Sequence, residues 1–276
     1  MTKVCAVLPA HARAALEPQL PEWIEARWWD DGAQLVALAP EAQIGWFDMH
    51  EKAQPLEAIR LATGLKWLSS AFAGVDWLPL AELQSRGVRL SNGSGLAAGQ
   101  VAEFAVMAML AHARGLRQIF RAMERGEWLP VPPTSRELAG SRALIVGFGA
   151  IGQNVARMLG GFGVQCTAAR SRAGEGALGP GEWQARLGEF DWVVLTLPGT
   201  AATTHLIGAG ELAAMKRDAV LVNFARATIV DQAALTAALA SARIGGAILD
   251  LADPEPLPPD HPLWQFENCH ITMHLS

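Results

Sequence analysis

The chain has 276 residues, enough for one large domain or two ordinary ones. Its 51% hydrophobic and 18% charged residues describe a folded globular protein, and a net charge of -5 leaves no basic footprint for nucleic acid. The cysteines, Cys5, Cys166 and Cys269, form no C-x-x-C pair. They read as buried thiols of a reducing compartment, so a cytoplasmic protein is expected.

The N-terminal run is too short for a signal peptide and is predicted as a first strand, 4–8. Further strands are predicted over 44–47, 66–69 and 88–90, with helices over 53–62 and 79–85. This alternation predicts a smaller, flavodoxin-like α/β domain over residues 1–95. A long linker helix is predicted over 99–125. Its apolar stretch 101–113 contains Glu103 and His112, which favours a buried or interface helix over a membrane span. The proline-rich segment 128–133 reads as a surface loop. From residue 143 onward, short apolar runs at 143–146, 165–168, 192–197, 219–222, 247–251 and 270–273 alternate with helical patterns. Helices are predicted over 153–159 and 232–241, the latter capped by Asp231. Continuous buried strands alternating with helices predict a parallel sheet covered on both faces. A second domain is therefore expected over 96–270, including the linker helix.

The run Gly147-Phe148-Gly149-Ala150-Ile151-Gly152 fits G-x-G-x-x-G. Alone it is weak, but a strand precedes it and a helix follows. That arrangement points backbone N–H groups, those of Ala150 and Ile151 included, and a helix N-terminus at a pyrophosphate. A Rossmann-type, doubly wound cofactor domain is expected. Open α/β sheets bind ligands at the carboxyl ends of their strands, so the chemistry is expected there, in a cleft between two such domains.

Three strand-end segments qualify. In 223–231, Arg226 presents a guanidinium that clamps a carboxylate and polarises a neighbouring carbonyl. In 248–258, Glu255 sits between two prolines, where a carboxylate would orient a histidine and favour its protonated form. In 270–274, His274 follows the last strand. His270 and His274 lie too far apart on a strand to share a metal, so no metal site is expected. Each residue alone has an ordinary reading: a surface arginine paired with an acid, an exposed loop acid, a structural histidine. Downstream of a dinucleotide fingerprint, the three together describe a hydride-transfer site with imidazolium as the acid.

With these motifs in order, the chain resembles the D-isomer-specific 2-hydroxyacid dehydrogenases, and within them the glyoxylate and hydroxypyruvate reductases. The resemblance also rests on Gly74-Val75-Asp76, Val101-Ala102-Glu103, Leu138-Ala139-Gly140, Leu197-Pro198-Gly199-Thr200, and Glu255-Pro256-Leu257-Pro258 with His261-Pro262-Leu263-Trp264. It implies an NAD(P)-dependent oxidoreductase acting on a small 2-keto or 2-hydroxy acid. Arg226 would bind substrate, His274 would be the acid/base and Glu255 its partner. Backbone N–H groups near Ala73 and Gly74 would hold the substrate carboxylate. Asp250 would lie near the nicotinamide amide, and Leu197, Pro198, Thr200 and Ala225 would line the cofactor. The linker helix resembles the family's dimer-forming arm, so a homodimer is expected.

Three departures stand out. Ala227 replaces the family's usual glycine and Met273 its usual proline. Family members also continue past the equivalent of Ser276, so 271–276 reads as the start of a truncated C-terminal segment returning toward the substrate domain. That end leaves open a different class, a cofactor-binding regulatory protein with weak or lost catalysis. A formate-dehydrogenase-like reaction is disfavoured because Glu255 stands where such enzymes carry an amide. NAD-specific sites place an acid on the adenosine ribose about 20 residues past the fingerprint. Here Arg170, Ser171 and Arg172 follow the second strand, which predicts NADP(H) preference with NAD(H) as the lesser option. Trp46, ending a small-domain strand, is a candidate for limiting pocket size, with a plain core or surface role equally open.

Overall fold

A computed structural model describes residues 3–174 and 176–276. The chain divides into two units, Met1–Ala97 and Ala98–Ser276. Every strand pairing within them is parallel. Parallel strands need helical crossovers, and these cover the sheets.

The first unit is built from β1 (Val4–Pro9), α1 (Arg13–Leu16), β2 (Ile24–Trp29), α2 (Gly32–Leu38), β3 (Ile44–Trp46), α3 (Ala53–Leu61), β4 (Trp67–Ser69), α4 (Leu80–Ser85) and β5 (Arg89–Ser91). The order β2-β1-β3-β4-β5 is the flavodoxin-like one expected. Val7, Leu35, Phe47, Ala58, Ile59 and Leu68 are among the residues of its core.

The second unit opens with α5 (Ala98–Ala113) and α6 (Leu116–Glu124). The single helix predicted over 99–125 is corrected to these two. Gly115 breaks it with φ 63°, and an added Cβ there would lie 2.8 Å from Pro133. The chain continues through β6 (Arg142–Val146), α7 (Ala150–Gly161), β7 (Gln165–Ala169), α8 (Glu182–Ala185), β8 (Trp192–Leu195), α9 (Ala209–Ala214), β9 (Val220–Asn223), α10 (Gln232–Ala240), β10 (Gly246–Leu249) and β11 (Cys269–Ile271). Asp231 caps α10 by accepting from the Ala234 N–H.

This sheet runs β11-β10-β9-β8-β6-β7. Beyond β7 a parallel bridge, Ala169 to Leu178, occupies the place of one more strand. With that bridge counted, the order is the doubly wound one of a Rossmann-type domain. Side chains alternate across β6. Ala143 and Ile145 join the core under α5 and α7, whereas Leu144 and Val146 join the core on the opposite face. Burial on both faces explains why these strands read as continuous apolar runs. No helix among the described residues is long and apolar enough to cross a membrane.

Candidate active site

Because all the strands of the second unit are parallel, their carboxyl ends share one edge. The glycine turn follows β6 there, Arg170 follows β7, residues 197–200 follow β8, Arg226 follows β9, Asp250 follows β10 and His274 follows β11.

The glycines of the turn have separate jobs. Gly147 takes φ 95°, and a Cβ on it would lie 2.5 Å from the Leu197 nitrogen. A Cβ on Gly152 would lie 2.4 Å from the Gly147 carbonyl oxygen. Thr196 closes the turn by donating from Oγ1 to that carbonyl, at 2.6 Å. Gly149 differs, because a Cβ there would meet nothing within 4 Å. The chain itself does not require glycine at that position. Bare backbone at the exposed start of α7, beside the N–H groups of Ala150 and Ile151, fits a pyrophosphate.

Arg170 lies with its guanidinium carbon 5.5 Å from the centre of the Phe148 ring, over the glycine turn. Ser171 and Arg172 beside it are exposed. The loop after β8 folds on itself: Thr203 Oγ1 donates to the Pro198 carbonyl and accepts from the Thr200 N–H. A Cβ on Gly199 would lie 2.7 Å from Arg226 Cγ, so this loop packs directly on the arginine.

Arg226 is held by a residue to which sequence analysis assigns no role. Asn223 is buried, accepts from the Ala225 N–H at 3.0 Å and donates from Nδ2 to the Arg226 carbonyl at 2.9 Å. Its amide thus folds the strand end back and sets the direction of Arg226. The arginine's Nη1 donates to the Ala225 carbonyl. Ala227 opens a short 3-10 turn and has no positive φ, so it has no need of the family's glycine.

Glu255 and His274 meet. Glu255 Oε2 lies 2.9 Å from His274 Nδ1, and Glu255 Oε1 accepts from the Ala252 N–H. With Nδ1–H directed at the carboxylate, Nε2 is left to face a substrate. The pair is about half exposed, at 54% and 40%, so it adds little stability. Its value is orientation. Asp250, 2% exposed, anchors the same segment: its carboxylate accepts from Thr272, the Leu275 N–H and Ser276, and its carbonyl accepts from the His274 N–H. Met273 takes φ 58°, which a proline cannot adopt. A cavity of about 440 Å³ borders this pair, lined also by Asp250, Leu257, Trp264 and Met273. No cluster of three or more metal-ligating side chains occurs among the described residues.

In the first unit, Trp46 and the loop 70–74 also lie at the carboxyl edge of their sheet. The Ala73 carbonyl accepts from Asn92 Nδ2 and the Phe72 carbonyl from the Gly93 N–H.

Comparison with known proteins gives the family. Residues 106–276 match the model of the D-isomer specific 2-hydroxyacid dehydrogenase, NAD binding domain. The chain belongs to this family. As a 2-hydroxyacid dehydrogenase it is an NAD(P)-dependent oxidoreductase. It is 36% identical to a mouse glyoxylate reductase/hydroxypyruvate reductase, over 77% of this chain and 67% of that protein. It is 35% identical to a glyoxylate reductase of Korarchaeum cryptofilum, over 80% and 69%. An NADPH-dependent glyoxylate/hydroxypyruvate reductase of Sinorhizobium meliloti, solved with NADP and malonate, superposes with a TM-score of 0.81 at 25% identity, covering 99% of this chain and 87% of that one.

Proposed function

We propose that this dehydrogenase reduces a small 2-keto acid, glyoxylate or hydroxypyruvate, to the D-2-hydroxy acid with NADPH, with His274 as proton donor. The observation that carries this reading is the Glu255–His274 pair. It lies on the same sheet edge as the glycine turn, the place a hydride-transfer site requires its acid. When bound, the nicotinamide supplies the hydride to the keto carbon. His274 gives its Nε2 proton to the keto oxygen as that oxygen gains charge. Glu255 keeps Nδ1–H in place, so the ring neither turns nor changes tautomer. Arg226 binds the substrate and polarises its carbonyl, and backbone N–H groups near Ala73 and Gly74 hold the carboxylate. Asp250 fixes the backbone of the histidine and lies at the nicotinamide amide. Leu197, Pro198, Thr200 and Ala225 line the cofactor.

Arg170, Ser171 and Arg172 support NADPH over NADH, since cations there would pair with a 2′-phosphate. The names of the relatives support the substrate class. We read the protein as cytoplasmic and dimeric. Phe120 and Met123 on α6 and Trp128 and Val131 in the loop after it are exposed apolar residues, which supports pairing of two copies, and light scattering tests that.

The deciding assay is NADPH and NADH oxidation, at equal low concentration, across a panel of 2-keto acids. Turnover with glyoxylate or hydroxypyruvate and a preference for NADPH are expected. His274→Ala should lower turnover by about 10²–10⁴-fold. Near-normal turnover would remove His274 from the mechanism. Nucleotide binding with no turnover of any 2-keto acid would favour a regulatory protein on a dehydrogenase fold.

A further inference from the structure

Behind the loop 70–74 lies a carboxylate that the reaction as proposed does not use. Asp48 follows β3, and each of its oxygens is engaged. Oδ2 accepts from Trp46 Nε1 at 2.8 Å and from the Ala71 N–H at 2.5 Å, while Oδ1 accepts from Ser70 Oγ at 2.8 Å. Ser70 is buried, and its Oγ accepts in turn from the Phe72 N–H at 3.1 Å. One side chain thus joins the end of β3 to the loop after β4. The same loop has its carbonyls taken by Asn92 and Gly93, the residues after β5. Lys52 reinforces the tie, with its ammonium 4.4 Å from the centre of the Phe72 ring and 4.5 Å from that of Trp77. The Trp46 ring is fixed from its other side by His11, edge-on at 5.8 Å.

We propose that Asp48 is a positioning residue for substrate: it holds Trp46 and residues 70–74 in one arrangement, so that the Ala73 and Gly74 N–H groups stay set for a carboxylate and the indole stays set as a wall. This rests on the 2-keto acid reading above. Asp48 touches no reacting atom and acts through the loop. What it supplies is geometry, which an amide can supply too. The carbonyl oxygen of an asparagine accepts from Trp46 and Ala71, and its NH₂ then donates to Ser70 Oγ.

The test is steady-state kinetics of the full chain with glyoxylate and NADPH. Asp48→Ala should raise the KM for glyoxylate by about tenfold or more, while the KM for NADPH stays within about twofold. Asp48→Asn should hold the glyoxylate KM within about threefold of the parent. An unchanged glyoxylate KM in Asp48→Ala overturns the proposal. So does Asp48→Asn being as impaired as Asp48→Ala, which would make the charge, not the geometry, the active element. If Asp48→Ala does not fold, Ser70→Ala removes one of the three ties and should raise the glyoxylate KM by about three- to tenfold; no rise counts against the proposal. Amide exchange at Ala71 and Phe72 separates this inference from the reading beneath it. A parent that turns over no 2-keto acid defeats the reductase reading alone. Exchange that is equally slow in parent, Asp48→Asn and Asp48→Ala defeats the positioning role, whatever the substrate.

Discussion

Replacing each fingerprint glycine by alanine separates the glycines that the fold needs from the one that a ligand needs. At Gly152 a methyl group would sit 2.4 Å from the Gly147 carbonyl oxygen, and at Gly147 it would sit 2.5 Å from the Leu197 nitrogen on a residue with φ 95°. Both neighbours are backbone, so relief requires β6, α7 or the loop after β8 to move. A positive φ alone costs about 1–2 kcal/mol for a non-glycine residue, and overpacking adds about 1–3 kcal/mol. Gly147→Ala should lose about 2–5 kcal/mol and Gly152→Ala, whose φ is helical, about 1–3 kcal/mol in urea unfolding. Gly149 has φ -87°, and its added methyl group meets nothing within 4 Å. Gly149→Ala should leave stability within about 0.5 kcal/mol of the parent. That methyl group would stand where a pyrophosphate approaches the bare backbone. The loss of charge-assisted hydrogen bonds, at about 1.5–3 kcal/mol, should weaken NADPH binding about 10–100-fold in a fluorescence titration. The argument fails if Gly149→Ala binds NADPH as the parent does, or if it unfolds as readily as Gly152→Ala.

Three further outcomes are expected. His112 is held down to about 3 by burial, with the charges of His270 and Arg136 adding to the effect, while the unfolded chain binds that proton near 6.5. Its neutral form therefore contributes stability that is full above pH 6.5 and is lost as pH falls toward 3. The two units between 6.5 and 4.5 amount to about 2–3 kcal/mol, so urea unfolding at pH 7.5 and 4.5 should show His112→Phe losing less than the parent by about that much. Arg170→Asp should lower kcat/KM for NADPH by about tenfold or more and spare NADH, because an acid there repels a 2′-phosphate and suits a ribose hydroxyl; an unchanged NADPH-to-NADH ratio counts against Arg170. Glu255→Gln should lower kcat by about tenfold or more while moving stability by less than about 1 kcal/mol, since the pair is exposed. An equal loss of both would mark Glu255 as structural.

The larger sheet was legible because its strands are buried on both faces. Runs such as Leu144-Ile145-Val146 and Val193-Val194-Leu195 carry no polar residue to confuse them. The smaller unit was harder to read. Strand β2, Ile24–Trp29, was not foreseen. It is an edge strand whose solvent side carries Glu25 and Arg27, and only its alternation marked it. Helix α2 has a clear signal at Asp31, which caps it by accepting from the Gln34 N–H, but at seven residues it is only about two turns long. The pattern over 99–125 predicts one continuous linker helix because 101–113 is apolar and the whole stretch is rich in helix formers. The break falls at Gly115, which takes a left-handed φ of 63° with Pro133 close enough that an added Cβ would lie 2.8 Å from it.

The site divides along the same line. Residues that are expected to touch a ligand follow a strand within one short motif, so Gly149, Arg226, Glu255 and His274 can be chosen from spacing and chemistry. Asn223 holds Arg226 from within the same motif, but other residues do their bracing across strand ends, and the sheet order decides which strand ends are neighbours. Thr196 matters because β8 lies beside β6, which brings its hydroxyl to the Gly147 carbonyl. Asp48 matters because β3 lies beside β4, which brings its carboxylate to Ser70 and Ala71. In a linear sequence these are a threonine after a strand and an acid in a loop, types too common to single out. The pairing order turns them into braces. On the positioning role proposed for Asp48, a change at such a brace alters substrate preference while every motif that marks the chain as a dehydrogenase stays the same.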